Sequence, residues 1–487
     1  MQAALAFREE GIETIMVNSN PETVSTDFDV SDKLYFEPIV EEDVLEIVHH
    51  ENPLGVVVQF GGQTPLKLTS VLQKYNIPIL GTSPESIDIA ENREKFKSFL
   101  SGFNFKQPRN LAVSEKEMVK SAVLELGYPV IVRPSYVLGG RAMELIYTES
   151  DLKNYVNNRV EISPDNPLLI EEFLEDATEI DIDLISDGEN VLIGGILQHI
   201  EEAGIHSGDS SCSFPPYSVP EKKIIQLKKE IKGVAKKLKV KGLMNAQVAI
   251  KNDEFYMIEV NPRASRTIPF LSKCLGHSLA KLSSKVLIGN SLKDLGFSSE
   301  IVPTSYAVKA PVFPFNKFLK VDPILGPEMK STGEVMGRGS TFGEAFGKAI
   351  KAAGDEMPTR GNIFVSVKDS DKKYLPELCQ KFIELGFNIK ATKGSCKFLA
   401  DKGIRVEKVN KVLEGRPHIV DEILNNEICM VINTTEGRQS IKDSFSIRRS
   451  ALEHNTFLTT TISGGFAIAE SLEKPSNEWN YIPLQTS

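Results

Sequence analysis

The feature of this chain that most restricts its fold is an apolar strand that ends in charged residues. The segment FYMIEVNPRASRT, residues 255–267, begins with residues suited to a sheet core and ends with an acid, an amide and two guanidinium groups. The segment NAQVAI precedes it across the short turn KNDE, so the two segments are predicted to form a β-hairpin. Because paired residues share a face of a sheet, we expect Gln247 beside Glu259, with Asn261 in the same row.

The polar end of this hairpin has the composition of a divalent cation site. Oxygen atoms of Gln247, Glu259 and Asn261 are the hard ligands that Mg²⁺ prefers, and phosphate oxygens can fill the remaining positions. Arg263 and Arg266 would hold anionic reactants by forked hydrogen bonds. The alternative is a hydrogen-bonded sheet end with surface arginines. A buried carboxylate without a counter-charge is unfavourable, which favours the cation site. The core side of the strand is predicted to be Phe255, Met257 and Ile258.

The segment VIVRPSYVLGGRAMELIY is a second candidate for a ligand site. It places Arg133 at the end of an apolar strand and Gly139 and Gly140 in the turn that follows. Glycines let backbone N–H groups wrap around a phosphate. A glycine hairpin without a ligand explains this segment equally well on its own. The loop is not a Walker A motif, because no Gly-Lys-Ser/Thr sequence follows it.

Two further segments carry polar side chains that suit a nucleotide. LIEEFLEDATEIDIDLI contains Glu172, Leu174 and Glu179, which suit adenine and ribose, although alone it is an ordinary acidic strand edge. QHIEEAGIHSGDSSCSFPP is a short polar loop with these candidate residues: His199, Glu201, His206, Ser207 and Asp209. Acid–base or metal chemistry is one interpretation of this loop and solvated histidines are another. Gly204 and Gly208 favour a flexible lid.

The order of helices and strands predicts a chain of several domains, α/β at its ends and α+β in its middle. A length of 487 residues corresponds to about three domains. The first part alternates helix and strand but starts on a helix, so its sheet is expected to lack a first strand. The predicted boundaries are 1–90 for this truncated α/β domain, 91–300 for the α+β domain, 301–356 for a Pro/Gly-rich and helical extension, and 357–487 for a second small α/β domain.

Composition excludes several classes of function. The net charge of −10 argues against a nucleic-acid surface. No apolar run reaches the roughly 18 residues of a membrane span, and the N-terminus lacks signal-peptide anatomy. The five cysteines form no Cys-x-x-Cys pair and the histidines lack zinc spacing. We therefore expect a reduced cytosolic enzyme without a structural metal.

Taken together, the motifs resemble a family of ATP-grasp ligases, the carbamoyl-phosphate synthetase large subunits. The resemblance rests on MVNSNPETVSTDFDVSDKLYFEP, QFGGQTPLKL, VRPSYVLGGRAM, GIHSGDSSCSFPP and IEVNPRASRT, and it extends through NKVLEGRPHI, VINTT and IRRSAL. It covers essentially the whole chain but only the second half of such a subunit. The fold that it implies is a truncated Rossmann-like pre-ATP-grasp domain, an ATP-grasp domain, and a doubly wound C-terminal domain similar to methylglyoxal synthase.

The resemblance also implies an activity and its residues. The second half of such subunits phosphorylates carbamate with MgATP and releases carbamoyl phosphate and ADP. Arg263 and Arg266 would stabilise the transferring phosphate, together with Glu259 and Asn261. The metal ligands for Mg²⁺ or Mn²⁺ would be Gln247, Glu259 and Asn261. The ATP site would comprise Arg133, Gly139, Gly140, Glu172, Leu174, Glu179, Gly204, Ile205, His206, Ser207, Gln247 and Glu259. A potassium site would draw on His199, Glu201 and Ser207.

The implied partners are the bicarbonate-phosphorylating N-terminal half and a glutaminase small subunit, in a cytoplasmic oligomer that serves pyrimidine and arginine synthesis. The C-terminal domain would bind a nucleotide monophosphate as allosteric effector. Its candidate residues are Lys372, Thr392, Ser395, Lys411, Asn433, Thr434 and Thr435. A plain structural domain with polar loops is an equal alternative. Ala310 stands where related bacterial enzymes have a glutamate for ornithine, which argues against ornithine activation.

Two other functions remain open at this point. A chain that lacks its first strand could act mainly as a nucleotide-binding or regulatory module, without catalysis of its own. A different ATP-grasp enzyme, such as a biotin-dependent carboxylase, is the other alternative. The C-terminal domain and the NPRASRT segment fit the synthetase better.

Overall fold

The first unit of the fold is a small α/β arrangement. The computed structural model of the chain describes residues 1–134, 142–160, 162–163, 166–318 and 321–486. The elements of this unit are α1 (Gln2–Glu9), β1 (Ile15–Val17), β2 (Lys33–Tyr35), α2 (Glu41–Glu51), α3 (Gln63–Leu66), α4 (Thr69–Lys74) and α5 (Pro84–Glu91). β1 and β2 are parallel, as the alternating pattern predicts.

Two segments of this unit differ from their prediction as strands. GVVVQF and IPILG meet in an isolated parallel bridge between Val56 and Ile79. The backbone of Val56 donates to Pro78 O and accepts from Leu80 N. Pro78 has no N–H to contribute, so the ladder does not continue through it. The helical segment that follows is also divided, because Asn92 leaves the helix and caps the next one through Lys95 N at 3.1 Å.

The second unit contains two antiparallel sheets, which confirms the predicted α+β class. Its elements are α6 (Arg93–Leu100), β3 (Asn110–Val113), α7 (Val119–Leu126), β4 (Val130–Pro134), β5 (Glu144–Ile146), α8 (Glu149–Asn158), β6 (Leu168–Glu172), β7 (Thr178–Asp187), β8 (Val191–His199), β9 (Cys212–Phe214), α9 (Glu221–Lys237), β10 (Lys241–Lys251), β11 (Glu254–Asn261), α10 (Ile268–Leu275), α11 (Leu279–Leu287), β12 (Tyr306–Val312), β13 (Gly333–Gly339) and α12 (Phe342–Ala353). The four-stranded sheet has the order β3-β6-β4-β5 and the seven-stranded sheet the order β11-β10-β7-β8-β9-β12-β13.

The larger sheet is covered differently on its two faces. α6 and α9 pack on one face, where Ile180, Ile182 and Val248 lie in their core. α10 and α11 cover only part of the other face, around Ile185 and Leu243. The rest of that second face carries the polar ends of β7, β10 and β11, so the helices leave this polar region open.

The third unit is a parallel sheet with helices on both faces, which confirms the predicted doubly wound class. Its elements are β14 (Gly361–Ser366), α13 (Leu375–Glu384), β15 (Phe387–Ala391), α14 (Lys393–Asp401), β16 (Glu407–Lys408), α15 (Ile419–Leu424), β17 (Ile428–Asn433), α16 (Gly437–Glu453), β18 (Phe457–Thr459) and α17 (Ile462–Leu472). The strand order is β16-β15-β14-β17-β18. The order reverses between β14 and β17, and ligands of such sheets bind at the carboxyl ends beside this point.

The segment between the second and third units belongs to both. β12 and β13 complete the seven-stranded sheet, whereas α12 packs against α17 of the third unit. One buried cluster accordingly contains Val308 and Phe346 together with Ile363 and Ile468. Within the described part of the chain, every helix is too short or too polar to cross a bilayer. All five cysteines are free thiols.

Candidate functional site

The hairpin of β10 and β11 has the predicted register and, in addition, a bulge. Gln247 pairs directly with Glu259, so the two side chains share a face. The register then shifts, because Val248 pairs with Met257 and leaves Ile258 unpaired. This extra residue reverses the alternation of faces, so Met257 enters the core while Glu259 faces the open side. The prediction of Ile258 as a core residue is therefore wrong, since it is 40% exposed.

The polar row continues onto a third strand, β7, which the prediction represents by Glu179 but without its two aspartates. On β7, Asp181 pairs with Gln247 and Asp183 pairs with Asn245, which in turn pairs with Asn261 on β11. Polar side chains thus cross three neighbouring strands in two adjacent rows. The segment EIDIDLI could have revealed the two aspartates, because acids at every second position of a strand lie on one face.

Asp183 is the most deeply buried carboxyl of this region. Its side chain is fully buried and accepts a hydrogen bond from Asn245 Nδ2 at 3.1 Å and another from the Thr267 hydroxyl. Burial raises the pKa of Asp183 to about 6, against the opposing effect of these hydrogen bonds. Asp183 therefore ties β7 to β10 and to the turn after β11.

Glu259, Asn261 and Arg263 form a chain of hydrogen bonds. Asn261 Nδ2 donates to Glu259 Oε1 at 2.8 Å, and Arg263 Nη2 donates to Asn261 Oδ1 at 3.2 Å. Arg263 Nε and Asp181 Oδ1 are buried and have no hydrogen-bond partner among the described residues. A buried donor and a buried acceptor left open in one site suit an anionic ligand accompanied by a cation.

The side chains present fit the predicted metal. Gln247, Glu259 and Asn261 supply carboxylate and amide oxygens, the hard ligands that suit Mg²⁺. In the part of the chain that the structure describes, no three His, Cys, Asp or Glu side chains are grouped to hold an ion. An ion at this row would therefore depend on the amide oxygens as well as on Glu259.

An apolar cluster lies next to the polar row. Leu174 and Ala203 pack there with Ala177, Ala249 and the partly buried Tyr256. Two other predicted nucleotide residues lie beside this cluster. Ala203 of the cluster precedes Gly204, and Gly204 N donates a hydrogen bond to Glu179 Oε1 at 3.1 Å. An apolar surface beside a polar row is what a purine nucleotide needs.

The remaining nucleotide candidates lie on the four-stranded sheet. Arg133 Nε donates to Glu171 Oε2 at 3.2 Å at the end of β4. Glu172, at the end of β6, accepts from Arg109 Nε at 3.1 Å. Burial raises the pKa of Glu171, although Arg133 opposes this shift. Gly139 and Gly140 lie outside the described residues.

His199 is buried between two carboxylates and is not a solvated loop histidine. Its Nε2 lies 2.9 Å from Asp181 Oδ2 and its Nδ1 lies 3.3 Å from Glu179 Oε2. Burial disfavours the imidazolium, but Cys212 and these two acids together raise the pKa of His199 well above its ordinary value. With both ring nitrogens engaged, the His199 side chain links β8 to β7.

The loop after β8 is held by backbone and side-chain contacts. Asp209 is fully buried and accepts from Lys330 N at 2.8 Å and Ser331 N at 2.9 Å. His206 Nδ1 accepts from Gly208 N at 3.0 Å, and burial lowers the pKa of His206. Further contacts are Ser211 N to Glu201 Oε2 at 2.5 Å, Lys309 Nζ to Ser207 O at 3.4 Å, and Arg266 Nη1 to Met329 Sδ at 2.9 Å. A Cβ on Gly208 would lie 3.2 Å from Arg266 Nη1, so Arg266 lies against the loop that carries Gly204, Ile205, His206 and Ser207.

The candidate effector residues gather at the carboxyl ends of the parallel strands. Asn433 donates to Ser366 O at 3.1 Å, and Thr434 Oγ1 accepts from Lys368 N at 3.0 Å. Thr392 and Ser395 are buried at the start of α14, and Lys372 pairs with Asp369 at 2.6 Å. Lys411 lines a cleft of about 660 Å³ with Lys368 and Gly437, and Tyr128 and Tyr147 of the second unit form its opposite side. Ala310 is buried in the apolar core.

A four-stranded and a seven-stranded antiparallel sheet around a polar strand end define the ATP-grasp fold. Solved structures with this fold include a biotin carboxylase from Campylobacter jejuni, with a TM-score of 0.56 and 17% identity over 72% of this chain and 87% of that one. An N5-carboxyaminoimidazole ribonucleotide synthetase from Thermotoga maritima has a TM-score of 0.55 and 14% identity over 72% and 94% of the two chains. At such low identity these neighbours establish the fold alone.

Sequence comparison gives the family. The carbamoyl phosphate synthase preATP-grasp domain matches residues 1–89, the carbamoyl-phosphate synthase L chain ATP binding domain matches 92–295, and the MGS-like domain matches 375–460. The carbamoyl phosphate synthase large chains of Pseudomonas syringae pv. tomato and Vibrio cholerae are 56% and 52% identical, each over 97% of this chain and 44% of their own length. This chain therefore belongs to the carbamoyl phosphate synthase large-chain family of ATP-dependent ligases, and it spans less than half the length of those relatives.

Proposed function

We propose that this chain is the carbamate-phosphorylating half of a glutamine-dependent carbamoyl-phosphate synthetase. In this reaction a carbamate oxygen attacks the γ-phosphorus of ATP, the new O–P bond forms carbamoyl phosphate, and the bond to the β-phosphate breaks to release ADP. The observation that carries the proposal is the opposition of Gln247 and Glu259 on the open face of the larger sheet. This arrangement supports a site at which charge on a phosphoryl group can be neutralised.

In the proposed mechanism the protein positions the reactants and neutralises charge. Leu174 and its apolar neighbours would hold the adenine, and Glu179 would fix the loop through Gly204 N. Arg263 Nε has no partner among the described residues, so Arg263 would bind the transferring phosphoryl group beside Asn261, while Arg266 approaches from the loop near Gly208. Arg133 would contact the nucleotide phosphates from the smaller sheet. Phosphoryl transfer needs little covalent work from protein, which agrees with this division of roles.

Gln247, Glu259 and Asn261 would hold Mg²⁺ or Mn²⁺, which supplies charge neutralisation on the terminal phosphates when bound. The Asn261 side chain would then release Glu259, to which it now donates a hydrogen bond. Potassium would draw on oxygens of the loop after β8, including those of Glu201 and Ser207. The His199 side chain is an unsuitable ligand for K⁺, because its ring nitrogens already face Asp181 and Glu179.

The proposed partners are the N-terminal bicarbonate-phosphorylating half and the glutaminase small subunit, in a cytoplasmic oligomer. Its product would serve pyrimidine and arginine synthesis. The C-terminal domain would bind a nucleotide monophosphate near Lys372, Thr392, Ser395, Lys411 and Asn433–Thr435. Ornithine is excluded from this proposal, since Ala310 offers it no carboxylate.

The reverse half-reaction tests the function directly. Purified protein with Mg²⁺ should make ATP from ADP and carbamoyl phosphate. The Glu259→Gln variant should turn over roughly 10²–10³-fold more slowly, because a preorganised charge at the transferring phosphoryl group is lost. Glu254→Gln is the matched control, since Glu254 begins the same strand but pairs with Lys106 on the surface. The control should retain full turnover.

Three results would contradict the proposal in different ways. Equal rates in Glu259→Gln and the unchanged protein would remove the metal assignment while leaving the family activity in place. Nucleotide binding by calorimetry without any ATP formation would instead favour a binding or regulatory module. ATPase activity that requires biotin would indicate a carboxylase.

A further inference from the structure

The motif QFGGQTPLKL contributes a side chain that none of the roles above uses. Gln59 is fully buried. It follows the bridged residue Val56 closely in sequence and extends from the first unit to the polar strand end of the second. Its Nε2 lies 3.0 Å from Thr82 Oγ1, 3.0 Å from Lys241 O and 3.1 Å from Pro262 O.

Gln59 holds the chain on both sides of Arg263. Its side chain donates to Pro262 O, and its backbone O accepts from Ala264 N at 2.9 Å. Arg263 N also donates to Asn261 O at 2.8 Å, which makes this a tight turn. The two contacts from Gln59 therefore fix the peptide units that determine where the Arg263 guanidinium points.

The pocket around Gln59 fits a nitrogen donor, whereas Gln59 Oε1 is buried without a hydrogen-bond partner among the described residues. A Cβ on Gly242 would lie 2.2 Å from Gln59 Oε1, and one on Gly81 would lie 3.3 Å from Gln59 Cδ. Both glycines have positive φ angles, +99° and +146°, so the backbone bends tightly around this side chain. The three atoms opposite Nε2 can all accept a hydrogen bond, so an amide nitrogen fits where a carboxylate oxygen would be repelled.

We infer that Gln59 is a positioning residue for phosphoryl transfer, which acts by holding the Pro262–Ala264 turn and thereby aiming Arg263 at the transferring group. The inference rests on the proposed function for its catalytic consequence. Its structural consequence, the restraint of the turn, is independent of that function. Lys241 O also accepts from the Thr82 hydroxyl at 3.2 Å, so removal of the Gln59 amide acts chiefly on Pro262.

Gln59→Met tests this role, because methionine keeps the length of the side chain and removes its donor. We expect kcat for ATP formation to fall roughly 10- to 100-fold, with KM for ADP changed less than about two-fold, since a misaimed group weakens the transition state more than nucleotide binding. Gln73→Met is the matched control. Gln73 is an exposed glutamine of the same unit, bonded to Glu85 at 2.6 Å, and its loss should leave kcat unchanged.

A double-mutant cycle and hydrogen exchange separate positioning from general stability. In the Arg263→Ala background, adding Gln59→Met should lower kcat by less than about two-fold, because the two substitutions impair the same function. Hydrogen–deuterium exchange should show the Arg263 amide, which shares a peptide unit with Pro262 O, exchanging at least about ten-fold faster in Gln59→Met than in Gln73→Met. If Gln59→Met does not fold, Gln59→Asn serves instead, since its amide is one methylene short of Pro262.

If the kcat losses of Gln59→Met and Arg263→Ala multiply in the double variant, Gln59 does not act through Arg263. Unchanged exchange at the Arg263 amide would overturn the restraint itself. If the unchanged protein makes no ATP, the proposed function fails, while the exchange experiment still decides whether Gln59 restrains the turn.

Discussion

Asp183 shows how a single buried acid ties the chemistry of this site to its stability. Its carboxyl is shielded from water and bonded to Asn245 and Thr267, and Asp181 lies on the same face of the same strand. In the unfolded chain its pKa is that of an ordinary aspartate, 3.8, whereas burial raises the folded value to about 6. The folded state therefore binds a proton more tightly than the unfolded state between these values.

This difference predicts a pH-dependent stability. The contribution of neutral Asp183 is fully present below pH 3.8 and is lost as pH rises through about 6. Relative to Asp183→Asn, the free energy of unfolding of the unchanged protein should fall by on the order of 3 kcal/mol over this interval. Urea unfolding at a series of pH values measures the difference. A difference that stays constant from pH 4 to 7 would show that Asp183 does not titrate as stated.

Residue patterns predicted part of the site, and local geometry explains the remainder. The short turn predicts the hairpin, but the pairing of Gln247 with Glu259 also needs the bulge, because the register that starts at Lys251 and Glu254 would otherwise pair Gln247 with Ile258. The bulge at Ile258 was not visible, because strict alternation would have put Met257 and Glu259 on one face. The unpaired Ile258 places the apolar Met257 and the charged Glu259 on opposite faces instead.

At the scale of elements, α12 and α17 approach each other closely through the glycines of α12. A Cβ on Gly343 would lie 2.5 Å from Glu470 O, which is backbone and cannot move aside alone. A Cβ on Gly347 would lie 2.3 Å from Ser471 Oγ and 2.6 Å from Trp479. Glycine at these positions lets the helix that ends the synthetase segment contact the last helix of the third unit.

Replacing Gly343 should therefore destabilise the junction. In an unhindered helix, Gly→Ala gains about 1 kcal/mol. Here we expect Gly343→Ala to lose about 1–3 kcal/mol by overpacking. Thermal unfolding, and limited proteolysis between α12 and β14, measure this change. Gly333→Ala is the control, because its Cβ would meet Val312 at an ordinary 3.8 Å and should alter stability by less than about 0.5 kcal/mol. Equal stability of the two variants would contradict the packing argument.

Helices and strands with strong periodicity were predictable, while elements interrupted by one residue were not. Pro78 reduces two expected strands to a bridge, and Asn92 divides one expected helix into α5 and α6. Each interruption depends on a single hydrogen-bonding property, a missing N–H in one case and a capping side chain in the other. The shared core of α12 and α17 depends on contacts distant in sequence, which periodicity does not report.

At the scale of the whole molecule, ion pairs link the third unit to the second. Arg438 pairs with Glu144 at 2.5 Å and Lys373 pairs with Asp176 at 3.3 Å. Lys368 lies 3.6 Å from Glu202, which is on the loop that carries the predicted nucleotide residues. Lys368 also lines the 660 Å³ cleft beside Lys411, one of the candidate effector residues, so one side chain faces both this cleft and the candidate ATP loop.

This shared lysine predicts competition between the effector and the loop. A nucleotide phosphate in the cleft would draw Lys368 away from Glu202, so Glu202→Gln should release Lys368 in advance. For a partly exposed ion pair worth about 0.2–1 kcal/mol, effector affinity should rise by up to roughly five-fold. The influence of the effector on KM for ADP should shrink in the same variant. Calorimetry with a panel of nucleoside monophosphates, followed by the reverse assay with and without the one that binds, measures both quantities.

The surface pair Lys373–Asp176 provides the comparison, because it joins the same two units without facing the cleft. Asp176→Asn should change effector affinity and its effect on KM less than Glu202→Gln does, because Asp176 makes no ion pair with Lys368 and acts on it only through its charge. An effect of equal size in Glu202→Gln and Asp176→Asn would assign the coupling to docking of the whole third unit. An unchanged effector affinity in Glu202→Gln would instead mean that Lys368 does not couple the two sites. Among the described contacts, Glu202 is the acid of the ATP loop that pairs with Lys368, so its removal would then have had no effect at the effector site.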